Sequence, residues 1–387
     1  MCSSDLISTL LLVLIYISFI SLGLPDSVLG SAWPLMHLDL NVPISFAGIL
    51  SMTTSVGTIV SAISFSFISK RLRTETITTL STLLTAISLF LFGFLDNFYL
   101  FIPVAFALGL GAGSVDAALN HYVALHYKAR QMSFLHASWG IGTTVGPFVL
   151  AYLFSHDASW HIGYISVASV QLAIAILIAI SSPLWKQNEK IDQIKEETKL
   201  GYKEALKKKG AIYALLGFLG YCALEASAIL WASAYSVSRG VTAASAATFS
   251  GFLFWGITIG RLTSGFITEK LGDKTMIRIG LLFALIALLL LPRIDNAYLG
   301  IMFFILGFGF APTYPSMIHQ TPILYGKDAS SSLIGLEMAT AYIGSSFAPF
   351  IFGLISSKTS LAFYPIYLGI FLALAIFATE MKTKGKK

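Results

Sequence analysis

Four carboxylates stand where the chain has little room for charge. Of 19 acids, Asp26, Asp116, Glu225 and Glu337 lie well inside apolar runs. A carboxylate near the centre of a bilayer costs at least ~2.5–3.5 kcal/mol on insertion scales, so such a group ordinarily faces a cavity or a partner. Removal from water favours the neutral acid over its anion, which suits groups that take up and release protons. Asp26 and Asp116 are therefore expected to couple protons; the alternative is a pair of structural charges.

Other polar groups keep company with these acids. Asn120 follows Asp116 by four residues and shares its helical face. His136 lies at a similar depth in the next run, and Trp139 is one turn further along. Acid, amide, imidazole and indole together suit a polyhydroxylated or polar organic ligand, with hydrogen bonds to hydroxyls and the ring against C–H surface. Glu225, with Tyr221 on the same face, is the corresponding candidate in the second half, and Trp255 is a further aromatic candidate. Arg261 is expected to clamp an acid such as Glu337. Catalysis finds no support: there is no His-Glu-x-x-His, no Walker loop and no glycine fingerprint opening a helix after a strand. Ser138 is only two residues from His136, on a different face. Neither a cofactor nor a metal is called for, and the lone cysteines Cys2 and Cys222 indicate no disulfide framework or zinc site.

The elements that hold these residues must be membrane spans. The 387 residues are 56% hydrophobic and 11% charged, against roughly 25% charged in soluble domains. Apolar runs near the ~20 residues needed to cross a bilayer predict helices over 6–34, 44–68, 76–95, 98–124, 132–155 and 162–184, then 211–237, 245–267, 275–292, 297–320, 329–355 and 361–380. The fold class is all-α integral membrane, with twelve transmembrane helices in two six-helix bundles. The first run has no basic region ahead of it and no small-residue cleavage site before Gly30, so it reads as a retained span.

All but three of the 25 basic residues (Arg239, Arg293 and Lys358) fall on one side of this arrangement. By the positive-inside rule both termini and the polar stretch 185–210 are cytoplasmic, in a cell membrane. The net charge of +6 is thus a topology signal, not one for nucleic acid. Trp33, Trp160, Trp185 and Trp231 are expected in the interfacial aromatic belts.

The two halves, 1–184 and 211–387, resemble each other across the 185–210 linker, which is expected to form short surface helices. Leu95-Asp96-Asn97-Phe98-Tyr99-Leu100 recurs as Ile294-Asp295-Asn296-Ala297-Tyr298-Leu299, and Leu108-Gly109-Leu110-Gly111 as Leu306-Gly307-Phe308-Gly309. Gly146-Pro147-Phe148 matches Ala348-Pro349-Phe350, and Asp26 falls opposite Glu225. Two six-span repeats imply a site between them near mid-membrane.

Particular motifs resemble the major facilitator superfamily over the whole chain. Gly265-Phe266-Ile267-Thr268-Glu269-Lys270-Leu271-Gly272-Asp273-Lys274 is similar to that family's cytoplasmic loop between the second and third span of a half, which assigns gating to Glu269, Lys270 and Gly272. Its first-half copy, Ser66 to Glu75, carries Lys70 where an acid is usual. Gly142-x-x-x-Gly146-Pro147 is similar to a motif common in exporters, and small residues at that spacing also permit close helix packing.

Within the superfamily three stretches resemble the fucose:proton symporters. They are Gly23-Leu24-Pro25-Asp26 with Gly30-x-x-Trp33-Pro34, then Asp116-x-x-x-Asn120, then Phe310-Ala311-Pro312-Thr313-Tyr314-Pro315 with Gln320-Thr321-Pro322. The resemblance implies proton coupling and sugar binding at Asp26 and Asp116, adds Tyr314 to the binding residues, and makes Pro312 and Pro315 a hinge in a discontinuous span. The span-four acid is Asp where Glu is usual, and His136 and Trp139 replace amides that help bind fucose. The leading expectation is proton-coupled symport of a small polar solute, a sugar or sugar derivative, by a monomer in the lipid bilayer. The alternative is a proton-coupled drug or metabolite efflux antiporter, favoured by the span-five glycines and high Phe content.

Overall fold

The computed structural model describes residues 3–69, 71–127, 129–185 and 201–383. Every regular element among them is helical. In hydrocarbon a backbone must satisfy its own N–H and C=O groups, and the helix does so within one segment.

The first half contains α1 (Ser3–Asp39), α2 (Phe46–Ile68), α3 (Thr74–Phe94), α4 (Phe98–His126), α5 (Ala129–Ser155), α6 (Trp160–Ile180) and the single turn α7 (Ser182–Trp185). The second contains α8 (Tyr202–Leu206), α9 (Ala211–Ser238), α10 (Ala243–Leu271), α11 (Asp273–Leu290), α12 (Leu299–Phe310), α13 (Thr313–Tyr325), α14 (Lys327–Lys358) and α15 (Tyr364–Thr383). Eleven described helical segments are long and apolar enough to cross a membrane, with α12 and α13 together forming one of them. The twelfth expected span, α11, is an 18-residue helix whose first two turns carry Asp273, Lys274 and Arg278.

The chain divides into two compact units, Met1–Pro43 with Ile49–Gln193, and Ile44–Gly48 with Ile194–Lys387. Each repeats one packing pattern. In the first unit α1 packs along α5 and α6, and α3 along α4 and α6; in the second α9 packs along α14 and α15, and α11 along α12 and α15. Glycines make the closest crossings. A Cβ on Gly142 would strike the Ile20 carbonyl, and one on Gly344 would strike the Leu219 carbonyl of the equivalent pair.

The recurring Asp-Asn-x-Tyr-Leu motif is a turn into a helix, with the capping role shifted by one residue between copies. Asn97 Oδ1 accepts from Tyr99 N–H in the first half, while Asp295 Oδ1 accepts from Ala297 N–H in the second. Gly272 alone joins α10 to α11 at φ +75°, ψ 154°, and Gly326 alone joins α13 to α14 at φ +87°, ψ 156°. That region is essentially restricted to glycine, so both turns need the residue they have.

The four tryptophans expected at the membrane interface are instead fully buried. Three indole N–H groups find a protein acceptor: Trp160 bonds Asp39 at 2.7 Å, Trp231 the Pro349 carbonyl at 2.9 Å, and Trp185 the Ser181 hydroxyl at 3.4 Å; Trp33 packs against His37 and Phe98. Neighbouring helices close over these rings, and those three polar tips are satisfied inside. Trp185, read as the first linker residue, belongs to a core formed with Leu11, Phe19, Leu119 and Leu135. At the other end Ala205 of α8 is buried among Tyr325, Ala329 and Leu333. Residues 186–200 and Lys70 lie outside the described residues.

Candidate functional site

The first unit brings four of the expected site residues, Asp26, Asp116, Asn120 and Trp139, into direct or electrostatic contact. On α1, Gly23 and Asp26 are three residues apart and share a face; on α5, Trp139, Gly142 and Gly146 recur at three and four. A Cβ on Gly23 would meet the Trp139 carbonyl, and one on Gly146 would meet Ser27 Oγ. The glycines thus let the two backbones touch, and the next side chains along each face close the gap. Trp139 Nε1–H donates to Asp26 Oδ2 at 2.9 Å. The small-residue spacing of span five is therefore a packing face against α1.

Asp26 is exposed although Gly23, Leu24, Pro25, Ser27 and Val28 around it are buried. A carboxylate on an otherwise enclosed stretch of helix has been left an opening. Asp116 is partly buried, and its Oδ1 accepts from Asn120 Nδ2 at 2.9 Å; the same amide reaches the Asp116 carbonyl at 3.0 Å. The Asp116 charge acts on Asp26 electrostatically. Val115 and Leu119 of α4, Phe19 and Leu22 of α1 and Leu135 of α5 share one core, with Trp139 packed on it, so three helices hold the two acids. Among the described residues neither acid has a cation within ion-pair distance. His136, also exposed, sits edge-on to Phe19 at 5.9 Å between ring centroids.

The second unit arranges its charges otherwise. Glu225, the repeat counterpart of Asp26, faces Arg261 with Oε1 and Nη2 3.7 Å apart. This corrects the expected Arg261–Glu337 clamp: α9 and α10 are packed neighbours, whereas Glu337 on α14 is fully buried and faces α13. The Thr321 hydroxyl reaches both Glu337 oxygens, at 2.8 and 3.0 Å. Lys382, itself 6% exposed, supplies the compensating positive field.

Tyr221, expected to bind ligand beside Glu225, is fully buried and donates its hydroxyl to the Phe310 carbonyl at 2.9 Å. Carbonyls in the last turn of a helix lack a ladder partner. The phenol supplies one where α12 stops, and that stop splits the span before Pro312. Pro312 is buried and Pro315 exposed. Tyr314 is partly buried, with its hydroxyl on Met338 Sδ at 3.2 Å. Trp255 is exposed, stacked on Phe252 and edge-on to Phe304, which places it in an aromatic row. Lys270 is exposed beside Gly272; the Glu269 side chain lies outside the described residues.

Sequence reasoning placed Trp139 with His136 and Asp116 and missed its bond to Asp26. The signal was the pairing of Gly23 with Gly142, which only the fold brings face to face. It also missed Lys382 beside Glu337 and the 2.7 Å contact of His319 Nδ1 with Asp273 Oδ2. Nothing in the spacing of these residues links them.

Repeated apolar helices holding carboxylates within them define a multi-pass helical membrane protein of the carrier type. A family model described as Major Facilitator Superfamily matches residues 15–349, and the chain belongs to that family. It is a transporter and not an enzyme. Among characterised proteins it is 22% identical over 325 residues to the glucose/mannose transporter GlcP of Bacillus subtilis, covering 80% of this chain and 78% of that one. It is 23% identical over 359 residues to the cis,cis-muconate transport protein of Acinetobacter baylyi, covering 86% and 83%. Among solved structures, a bacterial homologue of the human lysosomal transporter Spinster, inward-facing and unoccupied, superposes with TM-score 0.78 at 14% identity over 98% of both chains. The nucleoside transporter NupG superposes with TM-score 0.75 at 15% identity over 97% and 99%.

Proposed function

We propose that this transporter is a proton-coupled symporter of a small polar solute, a sugar or sugar derivative, working by alternating access. The observation that carries the reading is Asp26: an exposed carboxylate in an apolar span, held by an indole N–H and without a cation partner among the described residues. A proton is the simplest means of neutralising such a group when its opening closes. The field of Asp116 at Asp26 adds a reason for the two acids to share protons, because like charges in one site disfavour joint ionisation.

Solute recognition is assigned to the surface these residues share. Asp116 and Asn120 offer acceptors and donors to hydroxyls, and the Trp139 ring offers a flat apolar face. His136 extends the same side of α5 by one turn. The glucose/mannose carrier among the relatives supports a sugar, and the muconate carrier marks organic acids as the competing cargo. Gly142 and Gly146, the glycines behind the efflux alternative, pack α5 on α1. The one-sided distribution of basic residues supports cytoplasmic termini.

The test is uptake by proteoliposomes of the purified chain. Labelled hexoses, deoxyhexoses, nucleosides and dicarboxylates are offered singly, each with unlabelled competitors. The reading expects saturable uptake of at least one sugar, lost in Asp116→Asn. Uptake confined to dicarboxylates, or expulsion of lipophilic cations with no sugar entry, contradicts it.

A further inference from the structure

Around Asp26 and Asp116 the amide and indole donors are used up inside the protein. Asn120 Nδ2 carries two hydrogens, and Asp116 meets them with two acceptors, Oδ1 at 2.9 Å and its backbone carbonyl at 3.0 Å. Turning the amide over would set its oxygen against both, so the pair itself fixes the orientation. Asp116 Oδ2 and Asn120 Oδ1 are then left without a hydrogen-bond partner among the described residues, and both side chains are only partly buried. One turn of α4 thus offers two oxygens and, while Asp116 is ionised, no hydrogen. The neighbouring indole supplies none either, because Trp139 Nε1–H goes to Asp26.

A hydroxyl both gives and takes a hydrogen bond, whereas a primary ammonium only gives, through three N–H bonds. Surroundings that only accept therefore favour the ammonium. Charge leads the same way. Neither Asp26 nor Asp116 has a cation within ion-pair distance among the described residues, while in the second unit Glu225 already faces Arg261. One shared proton neutralises one of the two acids and leaves the other charged in an apolar span, where an unpaired charge is costly. A neutral sugar does nothing for that second charge, and a dicarboxylate adds two more of its sign. A protonated amine offsets it. Asp116 comes with a second acceptor, the Asn120 oxygen, and Asp26 with a donor, the indole; the ammonium therefore goes to Asp116 and the proton stays with Asp26.

We propose, resting on the symport reading above, that the solute is an amino sugar carried as its ammonium. Asp116 Oδ2 and Asn120 Oδ1 hold the ammonium while Asp26 holds the transported proton. The sugar ring lies against the Trp139 face, and the loaded first unit carries no net charge on its two intramembrane acids.

The test is equilibrium binding to the purified full chain at about pH 6, where a primary amine is protonated, read by titration calorimetry. D-Glucosamine is compared with D-glucose and N-acetyl-D-glucosamine, which lack the charge, and with cyclohexylamine, which lacks the hydroxyls. Glucosamine is expected to bind roughly tenfold more tightly than each, the scale of a hydrogen bond to a charged group. Asp116→Asn, eluting as folded protein on size exclusion, should bring glucosamine down to the level of glucose. Asn120→Leu, which leaves the charge and removes one acceptor, should lower the preference severalfold, and Asp26→Asn should keep it. No measurable binding of glucosamine, equal affinity for glucose or for cyclohexylamine, or a preference that outlasts Asp116→Asn overturns the assignment. Proton-coupled uptake of glucose with no preference for the amine overturns it alone and leaves the symport reading standing.

Discussion

Asp26 and Glu225 occupy equivalent places in the two repeats yet have opposite partners. Asp26 accepts a hydrogen bond from a neutral indole, and Glu225 faces a guanidinium. That difference fits the proposed division of labour: a neighbouring cation favours the charged form of a carboxylate, while Asp26, held by an N–H alone, is the proposed proton carrier. Trp139→Phe keeps the ring and removes the donor. Hydrogen bonds to charged groups contribute roughly 1.5–3 kcal/mol, so proton-coupled uptake should fall about tenfold or more with little change in expression, measured as initial rates at fixed protein. For the second pair, Arg261→Met should lower the midpoint of thermal unfolding, and adding Glu225→Gln should recover most of the loss. Removing one partner strands the other's charge, while removing both does not. A double variant no better than the single one would show that the 3.7 Å pair carries no such coupling.

The helices and their joins were largely legible before any coordinates. Apolar run length located the spans, and the Asp-Asn-x-Tyr-Leu copies marked equivalent turns because a capping side chain and a tyrosine leave a local signature. Pro312 and Pro315 announced a break, and α12 does end at Phe310 with α13 opening at Thr313. Contacts across helices were not legible in the same way. Tyr221 shares a face with Glu225 in sequence and stays beside it, but nothing in the sequence signals that its hydroxyl also donates to Phe310, a partner 89 residues away. Arg261 was matched with the wrong acid for the same reason: helical phase says which residues share a face, not which helix that face meets. Trp33, Trp160, Trp185 and Trp231 were read by position along the span, and neighbouring helices cover all four. Two glycines test the element scale. Gly142→Leu should prevent α5 from seating on α1 and yield aggregated protein on size exclusion, because the obstacle is backbone and overpacking costs about 1–3 kcal/mol or more. Gly272→Ala should cost about 1–3 kcal/mol from its φ and ψ alone, read as a lower unfolding midpoint with the solute specificity of transport unchanged.

Across the whole molecule, duplication gives two units with the same internal packing and different chemistry. The first has two acids held by an indole and an amide. The second has Glu225 paired with Arg261 and Glu337 buried beside Thr321 and Lys382. Membership of the Major Facilitator Superfamily sets the protein's class, and the asymmetry between its halves carries the mechanistic reading. On this reading the driving ion enters through the first unit. The most direct measurement is the pH outside weakly buffered, de-energised proteoliposomes when a transported solute is added. The coupled mechanism predicts a transient alkalinisation that scales with solute entry and is absent in Asp26→Asn vesicles of equal protein content. Solute entry with no change in external pH, or an undiminished signal from Asp26→Asn, would contradict it.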